Sequence, residues 1–146
     1  MSSTKHSPGF RENIGHDVYF DSIDSIDFDK IPAKPGVYIL VAKKRGVHFH
    51  YPNGKSKVMY IGMTKNLRRR LKQHVSATRN VSERIEMSCQ CYQRYHYIRA
   101  FGAEIYIFTH RGTQNPKSQE AFYLGKFYEK YYSLPICNSA RSFHCN

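Results

Sequence analysis

From Lys30 to Ser82 the sequence has no carboxylate, and residues 31–146 contain no aspartate and only five glutamates: Glu83, Glu86, Glu104, Glu120 and Glu129. A centre that clamps two cations between clustered carboxylates is therefore hard to assemble from this chain. Long hydrophobic runs are missing as well. No stretch of 18 apolar residues exists, and the polar first twenty residues lack the apolar core of a signal peptide, so a soluble, cytoplasmic protein without a membrane partner is expected. Four cysteines do not make a disulfide framework here, since nothing suggests secretion and three of them lie in or near aromatic segments, so reduced thiols are expected. Cys89 and Cys91 form a Cys-x-Cys pair with no matching second pair, which argues against a structural zinc. A chain of this length has room for one domain.

What the chain has in quantity is positive charge, at a formal net of +12. Its distribution matters more than its size. Residues 1–30 carry three basic and six acidic side chains, whereas the remaining residues carry 20 basic and five acidic ones. So one-sided a field draws polyanions, of which nucleic acid is the commonest. The chain divides into an acidic arm (1–30), a basic domain (31–140) and a short tail (141–146). Within the arm, Ile23, Ile26 and Phe28 alternate with acids and are expected to pack on the domain, as an irregular arm or a short edge strand.

Gly36 to Val41 and Val58 to Gly62 are short apolar runs rich in β-branched and aromatic residues, and Pro52-Asn53-Gly54 between them predicts an antiparallel hairpin with an enlarged loop. Leu67, Leu71 and Val75 then recur at helical spacing behind a cap at Thr64 or Asn66. This places Arg70 at the margin of the inward stripe. A second helical stretch is predicted from Val81 to Phe101, ended by Gly102, and Ala103 to Thr109 reads as a central strand covered on both faces. A last helix is predicted from about Gln119 to Tyr132, capped by Ser118, with Ala121, Leu124, Gly125 and Tyr128 inward, Tyr131 and Tyr132 extending that stripe, and Glu120 on or beside it. The fold expected is α/β in the α+β sense, a small three-stranded, mainly antiparallel sheet flanked by helices.

Gly36-Val37-Tyr38 followed by Tyr60-Ile61-Gly62, with Arg70 eight residues after Gly62, His74 four later, Glu120 in a late helix and Asn138 after Leu134-Pro135-Ile136-Cys137, resembles the GIY-YIG nuclease domain over residues 35–139. The resemblance implies a metal-dependent endonuclease that hydrolyses DNA phosphodiester bonds. It implies that Glu120 binds Mg²⁺ or Mn²⁺, that Arg70 contacts the scissile phosphate, and that Tyr38 takes or relays the proton of the attacking water beside Tyr60. His74 matches a histidine of some members that shares acid–base duty, and Asn138 fixes the site or a phosphate. Each has a plainer role to set against this: a helix-dipole acid for Glu120, a surface charge for Arg70, a backbone-bonded ring for His74, a turn residue for Asn138. One departure is visible. Some members carry a lysine directly after the second motif, where this chain has Met63, so that role passes only to Lys65.

Around this core, Lys43, Lys44, Arg45, Lys55 and Lys57, interleaved with His48, Phe49, His50 and Tyr51, suit a loop that tracks phosphates; a hairpin extension with self-packed aromatics fits equally well. Lys65, Arg68, Arg69 and Lys72 add to the expected surface for DNA, taken as double-stranded. Two other functions remain open on sequence: a DNA-binding module of the same fold that does not cut, and an RNA- or ribosome-associated basic protein.

Overall fold

The computed structural model describes residues 17–80, 93–109 and 116–138. Six strands are present: β1 (Val18–Phe20), β2 (Gly36–Ala42), β3 (Phe49–Tyr51), β4 (Gly54–Ser56), β5 (Val58–Thr64) and β6 (Ala103–Thr109). Three helices accompany them: α1 (Leu67–Asn80), α2 (Gln93–Phe101) and α3 (Pro116–Tyr131). The predicted helical segment before Gln93 lies outside the described residues. Among the described residues no helix is long and apolar enough to cross a membrane.

β2 and β5 form the expected hairpin, and β6 pairs with the other edge of β2. The main sheet has four strands rather than the three expected, in the order β1-β6-β2-β5 and antiparallel throughout. The fourth comes from the acidic arm. Val18, Tyr19 and Phe20 pair with Ile107, Tyr106 and Ile105, and Asp17 Oδ2 accepts hydrogen bonds from the backbone N–H and the hydroxyl of Thr109 at 2.6 and 2.7 Å. An apolar β6 left with an open edge would invite foreign pairing, and this short segment covers it. Behind it Ile23 and Ile31 are buried, and Ile26 and Phe28 pack against the core.

Within the hairpin's long loop, β3 and β4 make a separate two-stranded sheet around Pro52 and Asn53. Its tip is fastened to the end of α3, since the Asn53 N–H and side-chain amide donate to the carbonyls of Tyr131 and Lys130. Phe49 is buried against Tyr97 and Phe101 of α2, and Tyr51 packs on Phe127 and Tyr131. The loop's aromatics thus build core.

Strand alternation divides the interior in two. Tyr38, Leu40, Ala42, Ile105 and Ile107 face α1 and α2, where Leu67, Leu71, Val75, Tyr95 and Ile98 meet them. Val37, Ile39, Val41, Tyr106 and Phe108 face α3 and its buried Phe127 and Tyr131. The inward stripe of α3 is Tyr123, Leu124, Phe127 and Tyr131; Ala121, Gly125 and Tyr128, placed inward by the sequence reading, are exposed. The larger rings decide the rotation of the helix, because burying Phe127 gains more than burying Ala121. Pro116, not Ser118, opens that helix, its fixed φ suiting the first turn.

Candidate active site

Two glycines shape the hairpin's working end. A Cβ on Gly36 would come within 2.6 Å of Leu67 Cδ1 and 2.5 Å of the Phe108 carbonyl, and one on Gly62 would meet Tyr60 Cε2 at 2.6 Å and Tyr38 Oη at 2.7 Å. Any side chain at Gly62 would displace both tyrosines. A register shift between Leu40 and Val41 places Tyr60 opposite Leu40 and Val58 opposite Val41. Regular alternation from Gly62 already sets Tyr60 on the face that holds Tyr38, and the bulge turns the extra residue, Met59, inward beside it. The two rings lie 6.0 Å apart.

Asn66 caps α1 by accepting from Arg69 N–H at 3.0 Å, while its own N–H donates to Thr64 Oγ1. From that start the 3.6-residue period carries Leu67, Leu71, His74 and Val75 inward. His74 is 0 % exposed, and its Nε2 stands 2.6 Å from Tyr38 Oη. Burial, reinforced by the charges of Arg70 and Arg94, holds the imidazole well below its ordinary pKa, so it is neutral. Burial raises the Tyr38 phenol, with Tyr60 adding to the rise and Arg70 and Arg94 opposing it. His74 Nδ1 has no hydrogen-bond partner. Fewest buried groups are left unpaired when the Tyr38 hydroxyl donates to Nε2 and the ring proton sits on Nδ1. Arg70, half-buried one turn earlier, bonds Gln73 through Nη1 at 3.1 Å and donates to the Tyr38 hydroxyl, which leaves part of its five-donor fork over.

Asn138 has a definite place. Its Oδ1 accepts from Ile61 N–H and its Nδ2 donates to Ile61 C=O, both at 2.8 Å, and Cys137 N–H donates to Met59 C=O at 2.9 Å. The segment thus splints the outer edge of β5 between Met59 and Gly62, with the Asn138 amide used on backbone.

Glu120 lies half-buried on α3, the helix covering the opposite face of the sheet from Tyr38 and His74. Burial raises its pKa despite the charge of Lys117. Among the described residues no three of His, Cys, Asp and Glu gather, so Glu120 stands as a lone carboxylate. The structure therefore brings Tyr38, Tyr60, Arg70 and His74 together on one face, with Glu120 at the margin of the other, near the start of α3.

The expected nucleic-acid contacts separate into two groups. Lys43, Lys44, Arg45, Lys55, Lys65, Arg69 and Lys72 are exposed, Lys72 with its ammonium 5.6 Å from the Phe28 ring. Lys57 instead donates to the carbonyls of Lys44 and Val47 at 3.2 and 3.0 Å, and Arg68 Nε donates to Ile31 C=O at 2.8 Å. These two brace the fold.

Sequence reasoning missed Arg94. It is 6 % exposed, with its guanidinium 4.4 Å from the centre of the Tyr60 ring and 5.8 Å from that of Tyr95. The signal was present, since Arg94 precedes Ile98 by one turn and Phe101 by two on the inward side of α2.

The profile described as the GIY-YIG catalytic domain matches residues 34–131. The chain belongs to the GIY-YIG family. The matched GIY-YIG region begins just before the Gly36 turn and ends with α3, so it encloses both motif strands, Arg70, His74, Arg94 and Glu120. No curated protein matches the chain. Solved structures similar to it include the GIY-YIG N-terminal endonuclease domain of UvrC from Thermotoga maritima bound to its catalytic divalent cation, magnesium, at 20 % identity over 77 % of this chain and 91 % of that one, with a TM-score of 0.39. A point mutant of the same domain with its cation aligns at 20 % identity over 75 % of this chain and 88 % of that one, with a TM-score of 0.40.

Proposed function

We propose that this endonuclease hydrolyses phosphodiester bonds of double-stranded DNA in the cytoplasm with a single divalent cation, Mg²⁺ or Mn²⁺, held by Glu120. The observation that carries the reading is the 2.6 Å hydrogen bond between Tyr38 and a neutral, fully buried His74, with Arg70 beside it. Glu120 fits the cation because its carboxylate, held up in pKa by burial, gains most from a counter-charge, and Mg²⁺ accepts few protein ligands and keeps its waters. When bound, the cation supplies polarisation of the phosphoryl oxygen and support for the leaving oxygen.

Arg70, half-buried and with donors to spare, faces the phosphate and stabilises its growing charge. The attacking water loses its proton to the tyrosine pair, and Tyr38 passes a proton to Nε2 of His74 at the buried end of the relay. His74 can hold it only while its charge is offset by the reacting phosphate, since Arg70 and Arg94 both disfavour the imidazolium. Asn138 keeps Ile61, and with it Tyr60 and Gly62, in register.

The test is plasmid cleavage by the wild type and by Arg70→Ala, with Mg²⁺, with Mn²⁺ and with a chelator. Cleavage by the wild type with either metal, abolished by chelation and by the substitution, is expected. Binding without cleavage in every metal would instead make the chain a DNA-binding module.

A further inference from the structure

In the scheme above Arg94 only disfavours the His74 imidazolium, yet it is among the most deeply buried polar side chains described. Its Nε lacks any hydrogen-bond partner, a costly state for a guanidinium shielded from water unless something else holds the charge. Its guanidinium shares a side-chain hydrogen bond with Tyr95 and lies against the face of Tyr60, 4.4 Å from the ring centre. A cation against an aromatic face is attracted by the ring's quadrupole, and that attraction grows when the ring becomes a phenolate.

The surroundings narrow the role. Tyr60 is faced by Tyr38 from β2, by Arg70 and His74 from α1, by Arg94 and Tyr95 from α2, and Cys137 from the segment after α3 lies within the electrostatic reach of Arg94. Among the described residues no carboxylate faces it. The cluster thus holds two permanent positive charges and three phenols, with a histidine kept neutral. Such a pocket is poised for negative charge, which the tyrosines or a seated phosphate can bring.

We propose that Arg94 is a positioning residue for cleavage: stacked on Tyr60 and buried beside the Tyr38–His74 pair, its guanidinium fixes the Tyr60 ring and stabilises the negative charge on the tyrosine pair as a proton leaves it. The proposal rests on the endonuclease reading. Arg94 acts through Tyr60 and does not reach the DNA, which separates its role from that of Arg70. It follows that Arg94 contributes to rate and leaves DNA affinity unchanged.

The experiment compares Arg94→Met, which keeps most of the volume without the charge, with Arg94→Lys, which keeps the charge. Single-turnover cleavage, DNA affinity and melting temperature are measured across pH for both. Arg94→Met should cleave roughly 10- to 100-fold more slowly at neutral pH with DNA affinity within about threefold, and its rate should rise at a pH about one unit higher than in wild type. Arg94→Lys should recover most of the rate and the wild-type pH profile. Equal losses in both variants, tracking a common fall in melting temperature, would make Arg94 a packing residue and overturn the proposal, as would an unchanged pH profile in Arg94→Met. If Arg94→Met does not fold, Arg94→Gln against Arg94→Lys carries the same contrast. Absence of cleavage by the wild type would sink the endonuclease reading instead. The charge effect is then read from tyrosine ionisation by ultraviolet absorbance, where loss of the Arg94 charge should raise the pH at which the site phenols ionise and an unchanged titration would overturn the proposal.

Discussion

Under α1 and α2 the sheet buries a hydroxyl, an imidazole and a guanidinium, whereas under α3 it buries branched chains and rings from Val37 to Phe108 against Phe127 and Tyr131. On the first face bonding capacity is left over: His74 Nδ1 and Arg94 Nε have no partner. The second face has Glu120 only at its margin, half-buried near the start of α3. Polar groups held in low dielectric with capacity to spare cost stability and gain reactivity, while the apolar face supplies the stability that tolerates them. The contrast is open to attack from either side, and the largest effects should come from the polar one.

Arg70→Ala and Glu120→Gln should each slow cleavage by about 10³-fold while the far-ultraviolet dichroism stays that of wild type. Glu120 also gives a reading that needs no DNA. Because burial raises its pKa, the folded protein loses stability as pH climbs through and above the ordinary carboxylate range, and Glu120→Gln should be free of that loss. Mg²⁺ should raise the melting temperature of wild type and not that of Glu120→Gln. If Mg²⁺ stabilises both alike, the cation is held elsewhere.

Next in size is the apolar face itself. Phe127→Ala removes a fully buried ring that packs on Tyr51 and Tyr131, and should cost about 3–5 kcal/mol in urea unfolding. At a temperature where the variant remains folded, its cleavage rate should stay within a few-fold of wild type. A collapse of activity in the folded variant would show that the two faces are mechanically coupled.

His74 gives a smaller effect with a definite sign. Its folded pKa lies below the unfolded value of about 6.5, so the unfolded chain takes up a proton that the native state refuses. Stability from this group is present above that value and falls by about 1.4 kcal/mol per pH unit as pH drops below it, until the folded pKa is reached. His74→Gln should flatten that slope by one proton relative to wild type, measured by urea unfolding between neutral and mildly acidic pH. Parallel slopes would mean that His74 is charged in the native protein.

How far the sequence carried depended on whether an element was fixed locally. The motif strands, the Asn66 cap and the Leu67-Leu71-Val75 stripe follow from β-branched runs and helical spacing within a few residues, and each appears where it was expected. His74 was placed by its motif spacing, but its burial follows from packing against Tyr38, 36 positions away. What the spacing could not reveal came from distant partners. β1 exists because β6 needs a neighbour 85 or more positions away, Arg94 matters because α2 lies against β5, and α3 rotated toward Phe127 because the sheet offered a surface for large rings. The bulge that turns Met59 inward needs β2 beside β5 before it has meaning.

The distinction between committed and open polar groups extends to the basic loop, where the smallest effect is expected. Lys55 is exposed on β4, while Lys57 two residues on directs its ammonium to the carbonyls of Lys44 and Val47 and closes the loop on itself. If the loop lies along DNA, Lys55→Gln should lower the slope of log affinity against log salt by about 0.9, the value for one neutralised phosphate. Replacing Lys43, Lys44, Arg45 and Lys55 together should lower it by roughly two to three, allowing for side chains that do not all reach a phosphate. Lys57→Gln should leave the slope unchanged and instead cost about 1 kcal/mol of stability, because a donor to two carbonyls is lost. A salt slope altered as much by Lys57→Gln as by Lys55→Gln would mean that the Lys57 ammonium leaves its carbonyls for phosphate when DNA binds. No change in the slope of the fourfold variant would turn the whole loop away from DNA, and its role would then be to seat Phe49 and Tyr51 in the core.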